Sequence, residues 1–166
     1  MTTKNVELAN VIKQLRNYGT SSKYVNERLG VNNRLDEIQA RFLSVKLKYL
    51  DADNNKRRDV AKRYLQSIAN KKVILPYYNG SKNHVFHLFV VLVEEREVFI
   101  NYLKQNGVET AVHYPIAPHQ QNALKTYSDL ALPITEKIHK NCVSLPISPV
   151  MEAFEVDKII DLINDY

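Results

Sequence analysis

The segment His113 to Gln121, "HYPIAPHQQ", concentrates side chains that can do chemistry. Imidazole and phenol groups donate and accept hydrogen bonds and move protons, and imidazoles also bind metal ions. The two prolines among them are typical of a turn rather than of the interior of a helix or strand. The segment could therefore be a metal site, a catalytic centre or an ordinary polar turn.

The spacing of the histidines argues against a metal. His84 and His87 are three residues apart in an apolar run that we expect to be a strand, where their side chains would point to opposite faces. His113 and His119 flank a proline-broken turn, and no HExxH or Cys/His spacing occurs. We predict no metal site; we expect His84 and His87 to be structural, and His119 could serve only to brace the turn.

Motifs for nucleophilic catalysis or phosphate binding are also missing. Ser144 and Ser148 lack a GxSxG turn, and the four glycines build neither GxGxxG nor a P-loop. The only cysteine, Cys142, lies in an apolar strand pattern typical of a buried, inert thiol. We predict no catalytic residue, no internal disulfide and a reducing, cytoplasmic setting.

Apolar periodicity predicts the elements that must position these residues. A first helix runs from Val6 to Leu15, and a polar loop follows Gly19. The asparagines of "GVNNR" are expected to cap a long helix whose apolar stripe runs from Leu35 to Ile68, with a kink or break in "DADNNKRRD".

The second half of the chain alternates strands and helices. The pattern predicts a strand at 84–93 covered on both faces, a helix to Gly107, a strand "ETAVHYP" ending at Pro115, one or two short helices, a strand "CVSLPI" and a closing helix. We predict an α/β or α+β fold in which a small sheet is packed with helices and preceded by a long helix.

Composition limits the alternatives. The 166 residues are 45% apolar, enough for one domain, and no run has the length of a signal peptide or a membrane span. The net charge of +5 permits a nucleic-acid partner or a phosphorylated substrate. Its densest part, "NNKRRDVAKR", lies among acids and lacks stacking aromatic residues, which favours a solvated helix face over a nucleic-acid site.

Five blocks of the sequence occur in the order typical of one protein family. They are "LRNYGTSSKYVNERLGVNNRLDEIQARFLSVKLKYLDADNNKRR", "HVFHLFVVLVEER", "HYPIAPHQQ", "PITEKIHKNCVSLPISPVM" and "VDKIIDLIN". From Thr3 onward the chain resembles the C-terminal portion of the DegT/DnrJ/StrS sugar aminotransferases. The wording is most similar to the branch that aminates 3-keto-6-deoxy sugars on a dTDP carrier.

The resemblance implies the small C-terminal domain of a fold type I enzyme over residues 1–166, with the connecting long helix. Family members use pyridoxal 5'-phosphate (PLP) to move an amino group, usually from glutamate, to a keto group of a nucleotide-linked sugar, and they are dimers with active sites at the subunit interface. The lysine that holds PLP as a Schiff base belongs to the preceding half, and nothing here matches it. We therefore expect an inactive chain that binds no PLP alone.

The family motifs also imply residue roles. Asn32 of "GVNNR" corresponds to a residue that reaches the cofactor phosphate across the dimer, and in some members the residue corresponding to Arg34 does so as well. Lys23 and Tyr24 are candidates for the diphosphate of the nucleotide sugar, and His113 and Tyr114 of "HYP" for a substrate-facing loop. Two other interpretations stay open: a stand-alone domain that binds a partner protein, and a nucleic-acid-binding domain.

Overall fold

A computed structural model describes residues 3–166, which form two compact units divided between Tyr49 and Leu50. The first unit contains helix α1 (Val6–Leu15), a hairpin of strands β1 (Thr20–Ser22) and β2 (Val25–Asn26), and helix α2 (Glu37–Leu47). The Asn5 side chain caps α1 by accepting a hydrogen bond from the Leu8 N–H. The first helix is thus confirmed, and a hairpin occupies part of the expected polar loop.

The first unit buries almost nothing. Within residues 3–49 no apolar side chain is buried, and Leu29, Ile38, Phe42 and Leu47 are each more than half exposed. Helices and hairpins of this length are stabilised in proteins mainly by packing of an apolar face. The first unit therefore exposes an apolar surface of the kind that is normally covered by packing against another surface.

The expected long helix is two helices. Helix α2 ends at Leu47, and helix α3 (Leu50–Ser67) begins after two residues outside the helices, Lys48 and Tyr49. The polar interval "DADNNKRRD", where a kink or break was expected, lies wholly inside α3. The Asn32 and Asn33 side chains do not cap the helix either, because α2 starts at Glu37 with Asp36 at its N-cap.

The second unit is built around a three-stranded antiparallel sheet in the order β3-β4-β5. The strands are β3 (Val73–Ile74), β4 (Phe89–Val93) and β5 (Cys142–Leu145), with Val73 opposite Val93 and Phe89 opposite Leu145. Helices α4 (Arg96–Gln105), α5 (Pro133–Asn141) and α6 (Ala153–Asp165) accompany it, with 3-10 turns at Pro118–Gln120 and Asn122–Tyr127. This confirms the predicted α+β fold and the positions of its later helices.

Two expected strands are shorter than the sequence suggests. The run predicted as a strand from His84 is extended only from Phe89, because Phe86 has φ +49° and Arg58 binds the carbonyls of Lys82 and His84, each at 3.0 Å. On β4 one face is buried and the alternate face is only partly covered. The strand expected at "ETAVHYP" is a single antiparallel bridge between Ala111 and Ser144.

The core of the second unit is continuous. Its largest fully buried side chains include Tyr64 of α3, Phe89 of β4, Phe99 and Leu103 of α4 and Ile163 of α6. The Tyr64 hydroxyl donates to the Pro146 carbonyl at 2.9 Å, and burial raises the pKa of this phenol well above its ordinary range. The Cys142 thiol is buried and free, as predicted.

The arginines of the basic segment hold α3 in place. Arg57 donates to the Ile147 carbonyl at 3.0 Å, Arg58 to the two carbonyls named above, and Arg63 to the Asp157 carboxylate of α6. Their donors are directed at main-chain and carboxylate oxygens of distant segments. Three arginines of this helix thus contact other segments of the fold, while Lys56 and Lys62 are exposed.

In the part of the chain that the structure describes, no helix combines the length and apolar character needed to cross a membrane.

Candidate functional site

Lys23 and Tyr24 form the tip of the hairpin in the first unit. Ser22 pairs with Val25, so these two residues make the turn, and Tyr24 takes a left-handed φ of +67°. The Tyr24 side chain is 89% exposed, and the Lys23 ammonium lies 5.2 Å from its ring centroid. An ammonium and a phenol donor are thus presented together at an exposed tip, which suits an anionic group.

Two glycines allow close packing at the base of this hairpin. A Cβ on Gly19, whose φ is +75°, would lie 1.8 Å from the Arg28 carbonyl oxygen, and one on Gly30 would lie 2.2 Å from the Gly19 nitrogen. This contact lets the Val31 N–H donate to the Leu15 carbonyl at 2.9 Å. The segment leading to Asn32 is therefore hydrogen-bonded to the end of α1.

Asn32 and Arg34 both line an open cavity of about 490 Å³ in the first unit. Asn32 pairs with Asn17 in an isolated bridge, and its side-chain oxygen accepts a hydrogen bond from Arg34 Nε at 3.0 Å. Within residues 3–49 this leaves the Asn32 amide nitrogen and the terminal guanidinium nitrogens of Arg34 without partners. These donors, just ahead of the amino end of α2, suit a phosphate group.

His113 and Tyr114 lie in the second unit, past the Ala111–Ser144 bridge. His113 Nδ1 is 2.9 Å from the Ser144 hydroxyl, and the Tyr114 carbonyl accepts a hydrogen bond from His139 Nδ1 at 2.6 Å. The two rings meet edge to face at 5.5 Å, and Tyr114 is 66% exposed. Residues His113 and Tyr114 are thus hydrogen-bonded to β5 and α5, while the Tyr114 ring is exposed to solvent.

His119 closes the far end of the same segment. Its ring is 5% exposed, and its Nε2 donates to the Glu136 carboxylate at 3.1 Å. The Leu132 N–H donates to the same carboxylate oxygen at 2.9 Å; this bond and the one from His119 lower the pKa of Glu136. His119 braces the turn and does not face outward.

Among residues 3–166 no three His, Cys, Asp or Glu side chains lie close enough to share an ion. His84 and His87 are outside the strand that was expected to carry them. His84 has a local structural role, since its Nδ1 accepts the Phe86 N–H at 2.9 Å.

Sequence reasoning missed the residues that hold the "HYPIAPHQQ" segment, which are Glu136, His139 and Ser144. One signal was available for Ser144, because a hydroxyl in the middle of the apolar run "CVSLPI" must find a partner when it is buried. Glu136 and His139 read as ordinary helix-surface residues. Their partners lie 17 and 25 residues away, which periodicity cannot reveal.

The profile of the DegT/DnrJ/EryC1/StrS aminotransferase family matches residues 1–164. The chain belongs to this family. The match covers both units and includes all of the candidate residues above.

Within this family, the chain is similar to several sugar aminotransferases. The chain is 49% identical, over its whole length and 46% of the relative's, to a dTDP-3-amino-3,6-dideoxy-alpha-D-galactopyranose transaminase of Aneurinibacillus thermoaerophilus. It is 34% identical, over 96% of the chain and 38% of the relative, to a 3-oxo-glucose-6-phosphate:glutamate aminotransferase of Bacillus subtilis. The crystal structure of S. venezuelae DesV with a ketimine intermediate superimposes with a TM-score of 0.93 at 35% identity, over 99% of this chain and 45% of that one.

The chain therefore spans less than half the length of the relatives that it matches.

Proposed function

We propose that this chain is the C-terminal part of a PLP-dependent aminotransferase that acts on a dTDP-linked keto-deoxysugar in deoxyamino-sugar biosynthesis. The observation that carries the proposal is the 49% identity, along the entire chain, to a transaminase whose name specifies a dTDP-linked 3-amino-3,6-dideoxy sugar. Glutamate is the proposed amino donor, supported by the name of the Bacillus subtilis relative. We propose that the nucleotide sugar is the substrate of the full-length enzyme.

The residues present fit the phosphate end of PLP. Asn32 and Arg34 offer unengaged donors beside the amino end of α2, and these suit a phosphate monoester. PLP, when bound, serves as the electron sink of the reaction, which also requires a lysine amine to hold it. No lysine here follows the family motif for that attachment, so we propose that the chain is inactive alone and needs the preceding half.

The remaining roles are divided between the two units. We propose that Lys23 and Tyr24 bind the diphosphate of the nucleotide sugar, and that His113 and Tyr114 hydrogen-bond to the sugar and orient its ring. We also propose a homodimer through the family interface. The apolar surface of residues 3–49 supports it, since exposed patches of this kind mark interaction surfaces.

A hybrid enzyme tests the proposal. It joins the amino-terminal half of the Aneurinibacillus relative to the amino end of this chain. We expect it to bind PLP and to transfer the amino group of dTDP-3-amino-3,6-dideoxygalactose to 2-oxoglutarate. The 166-residue chain alone should give no stoichiometric covalent adduct with PLP and no turnover. A folded, PLP-loaded hybrid without turnover on this sugar would overturn the substrate assignment.

Matched variants of the hybrid test the proposed sugar contacts. We expect His113→Ala and Tyr114→Phe to lower kcat/KM at least tenfold, in the range for a lost contact to a bound substrate. The controls His87→Ala and Tyr77→Phe change the same residue types at exposed positions, and we expect no loss. Equal losses in all four variants would contradict the assignment.

A further inference from the structure

The hydroxyl of Ser144 is placed by the sheet at a fixed point beside His113. Ser144 is 4% exposed, and its main chain exchanges hydrogen bonds with Ala111 at 3.2 and 2.7 Å while it also pairs with Val90 of β4. The serine therefore has main-chain contacts on both sides of its strand. This fixes the position of the Ser144 Cβ, from which the hydroxyl reaches His113 Nδ1 at 2.9 Å.

We propose that Ser144 is a positioning residue that fixes the orientation and tautomer of the His113 imidazole, so that the ring presents an Nε2–H donor to the sugar. The identity of the ligand rests on the proposed function. The geometry of the serine and histidine does not.

The direction of the hydrogen bond follows from what surrounds the serine. Within residues 50–166, His113 Nδ1 is the only group that hydrogen-bonds to the Ser144 hydroxyl. Buried donors without an acceptor are rarer in proteins than under-used acceptor oxygens, so the hydroxyl donates and Nδ1 accepts. A neutral imidazole that accepts at one nitrogen carries its proton on the other. Nε2 is therefore the protonated atom.

The main chain on both sides of His113 is held as well. Ala111 is bridged to Ser144 on one side, and His139 binds the Tyr114 carbonyl at 2.6 Å on the other. His113 Nε2 makes no hydrogen bond to any group of residues 50–166. This atom is the part of the ring left to contact a ligand.

The assignment restricts the chemistry of His113. An Nε2–H group donates to a hydroxyl, keto or phosphate oxygen and does not accept a proton at that atom. Ser144 thus makes His113 a hydrogen-bond donor to the sugar rather than a general base. Removing the hydroxyl should let the ring sample both tautomers and more than one orientation.

The test is ¹⁵N NMR of histidine-labelled 166-residue chain in alkaline buffer, where imidazoles are neutral. We expect His113 to show an unprotonated Nδ1 and a protonated Nε2. In Ser144→Ala both tautomers should be populated and the contacts of the ring with β5 should weaken. Ser144→Thr keeps a hydroxyl and should restore the original signals. The control Ser128→Ala removes an exposed hydroxyl that bonds only to the Lys125 carbonyl, and it should change nothing.

A protonated Nδ1 in the unmodified chain, or an unchanged tautomer ratio in Ser144→Ala, would overturn the proposal. If Ser144→Ala does not fold, the spectra of the unmodified chain and of Ser144→Thr decide. These measurements need neither PLP nor a sugar, so they are separate from the turnover assay. In an active hybrid, Ser144→Ala should lower kcat/KM about tenfold, the equivalent of one hydrogen bond, and Ser144→Thr should recover it.

Discussion

Phe42 and Phe89 are the same residue type in the two units, yet Phe42 is 65% exposed and Phe89 is fully buried. Phe89 contacts the rings of Tyr64 and Phe86 at centroid distances of 5.1 and 5.9 Å. The second unit thus carries its own core, whereas the first presents apolar side chains without burying any of them. The stability of this chain should therefore reside almost entirely in residues 50–166.

The largest expected effect separates these two phenylalanines. Phe89→Ala should lower the free energy of unfolding by about 3–5 kcal/mol, because it opens a cavity in a close-packed core. Phe42→Ala should change it by less than about 0.5 kcal/mol in this chain. Guanidinium unfolding followed by circular dichroism measures both, and a comparable loss in the two variants would contradict the contrast.

A pair of glycines sharpens the comparison within the turns. Gly19 and Gly80 both have positive φ, but a Cβ at Gly80 would meet no atom within 4 Å. Gly80→Ala should cost about 1 kcal/mol for the left-handed backbone. Gly19→Ala adds a main-chain overlap, so amide exchange of Tyr18, Glu27 and Val31 should become unprotected while β4 amides stay unchanged. Retained protection at those three amides would show that the hairpin does not need the close approach.

Tyr64 and Tyr24 make a smaller contrast. Tyr64→Phe leaves the Pro146 carbonyl unpaired and should cost about 1–3 kcal/mol, whereas Tyr24→Phe at the exposed tip should cost less than about 0.5 kcal/mol. Urea unfolding at neutral pH tests this difference. Equal costs would mean that the buried hydrogen bond adds nothing.

Alkaline titration provides a second test of Tyr64. Its pKa is raised in the folded state, so the stabilisation is fully present below the unfolded pKa of about 10 and is lost as the pH rises above it. Unfolding midpoints measured between neutral pH and pH 11 should fall less steeply in Tyr64→Phe. The pKa of Tyr166 is also raised, by burial and by Glu95, so part of the slope should persist.

The smallest expected effect concerns Glu136. Its pKa lies below the usual 4.5, mainly because the Leu132 N–H and His119 bind the carboxylate. This stabilisation is present above about pH 4.5 and is lost as the pH falls through the lower folded value. Glu136→Gln should flatten the acid limb of the stability curve and lower the plateau above pH 6 by a constant amount, because the carboxylate stabilises the fold throughout that range. Glu97→Gln, at an exposed position of α4, is the control.

Local patterns were enough to predict several elements. Apolar periodicity located α1, α4 and α6 because each has one regular apolar face, and the run "CVSLPI" identified β5. The strand predicted from His84 was too long, because branched and aromatic residues favour an extended chain. The local sequence does not show that Arg58 binds the carbonyls of that segment. The break between α2 and α3 was misplaced because the interval "DADNNKRRD" combines poor helix formers, Asp and Asn, with good ones, Ala, Lys and Arg, so its polarity alone does not end a helix.

The candidate site could be located but not assembled from sequence. The "HYPIAPHQQ" segment stood out by composition, and the resemblance supplied its proposed role. The tethers to Ser144, His139 and Glu136 join residues 31, 25 and 17 positions apart, and such separations carry no periodic signal. The only one of these contacts with a signal in the sequence was that of Ser144, a hydroxyl within the apolar run of a predicted strand.

The arginine contacts of α3 also bear on how the chain is made. Arg57 and Arg63 bind groups 90 and 94 residues further along, and the Tyr64 hydroxyl reaches one 82 residues away. Synthesis proceeds from the amino end, so α3 can form as a helix long before any of these partners leaves the ribosome. Because Ile160 and Ile163 of α6 belong to the core of the second unit, that core can be completed only after α6 has been synthesised. Until α6 is available, the apolar side chains of α3 are exposed, and the neighbouring arginines should limit their aggregation.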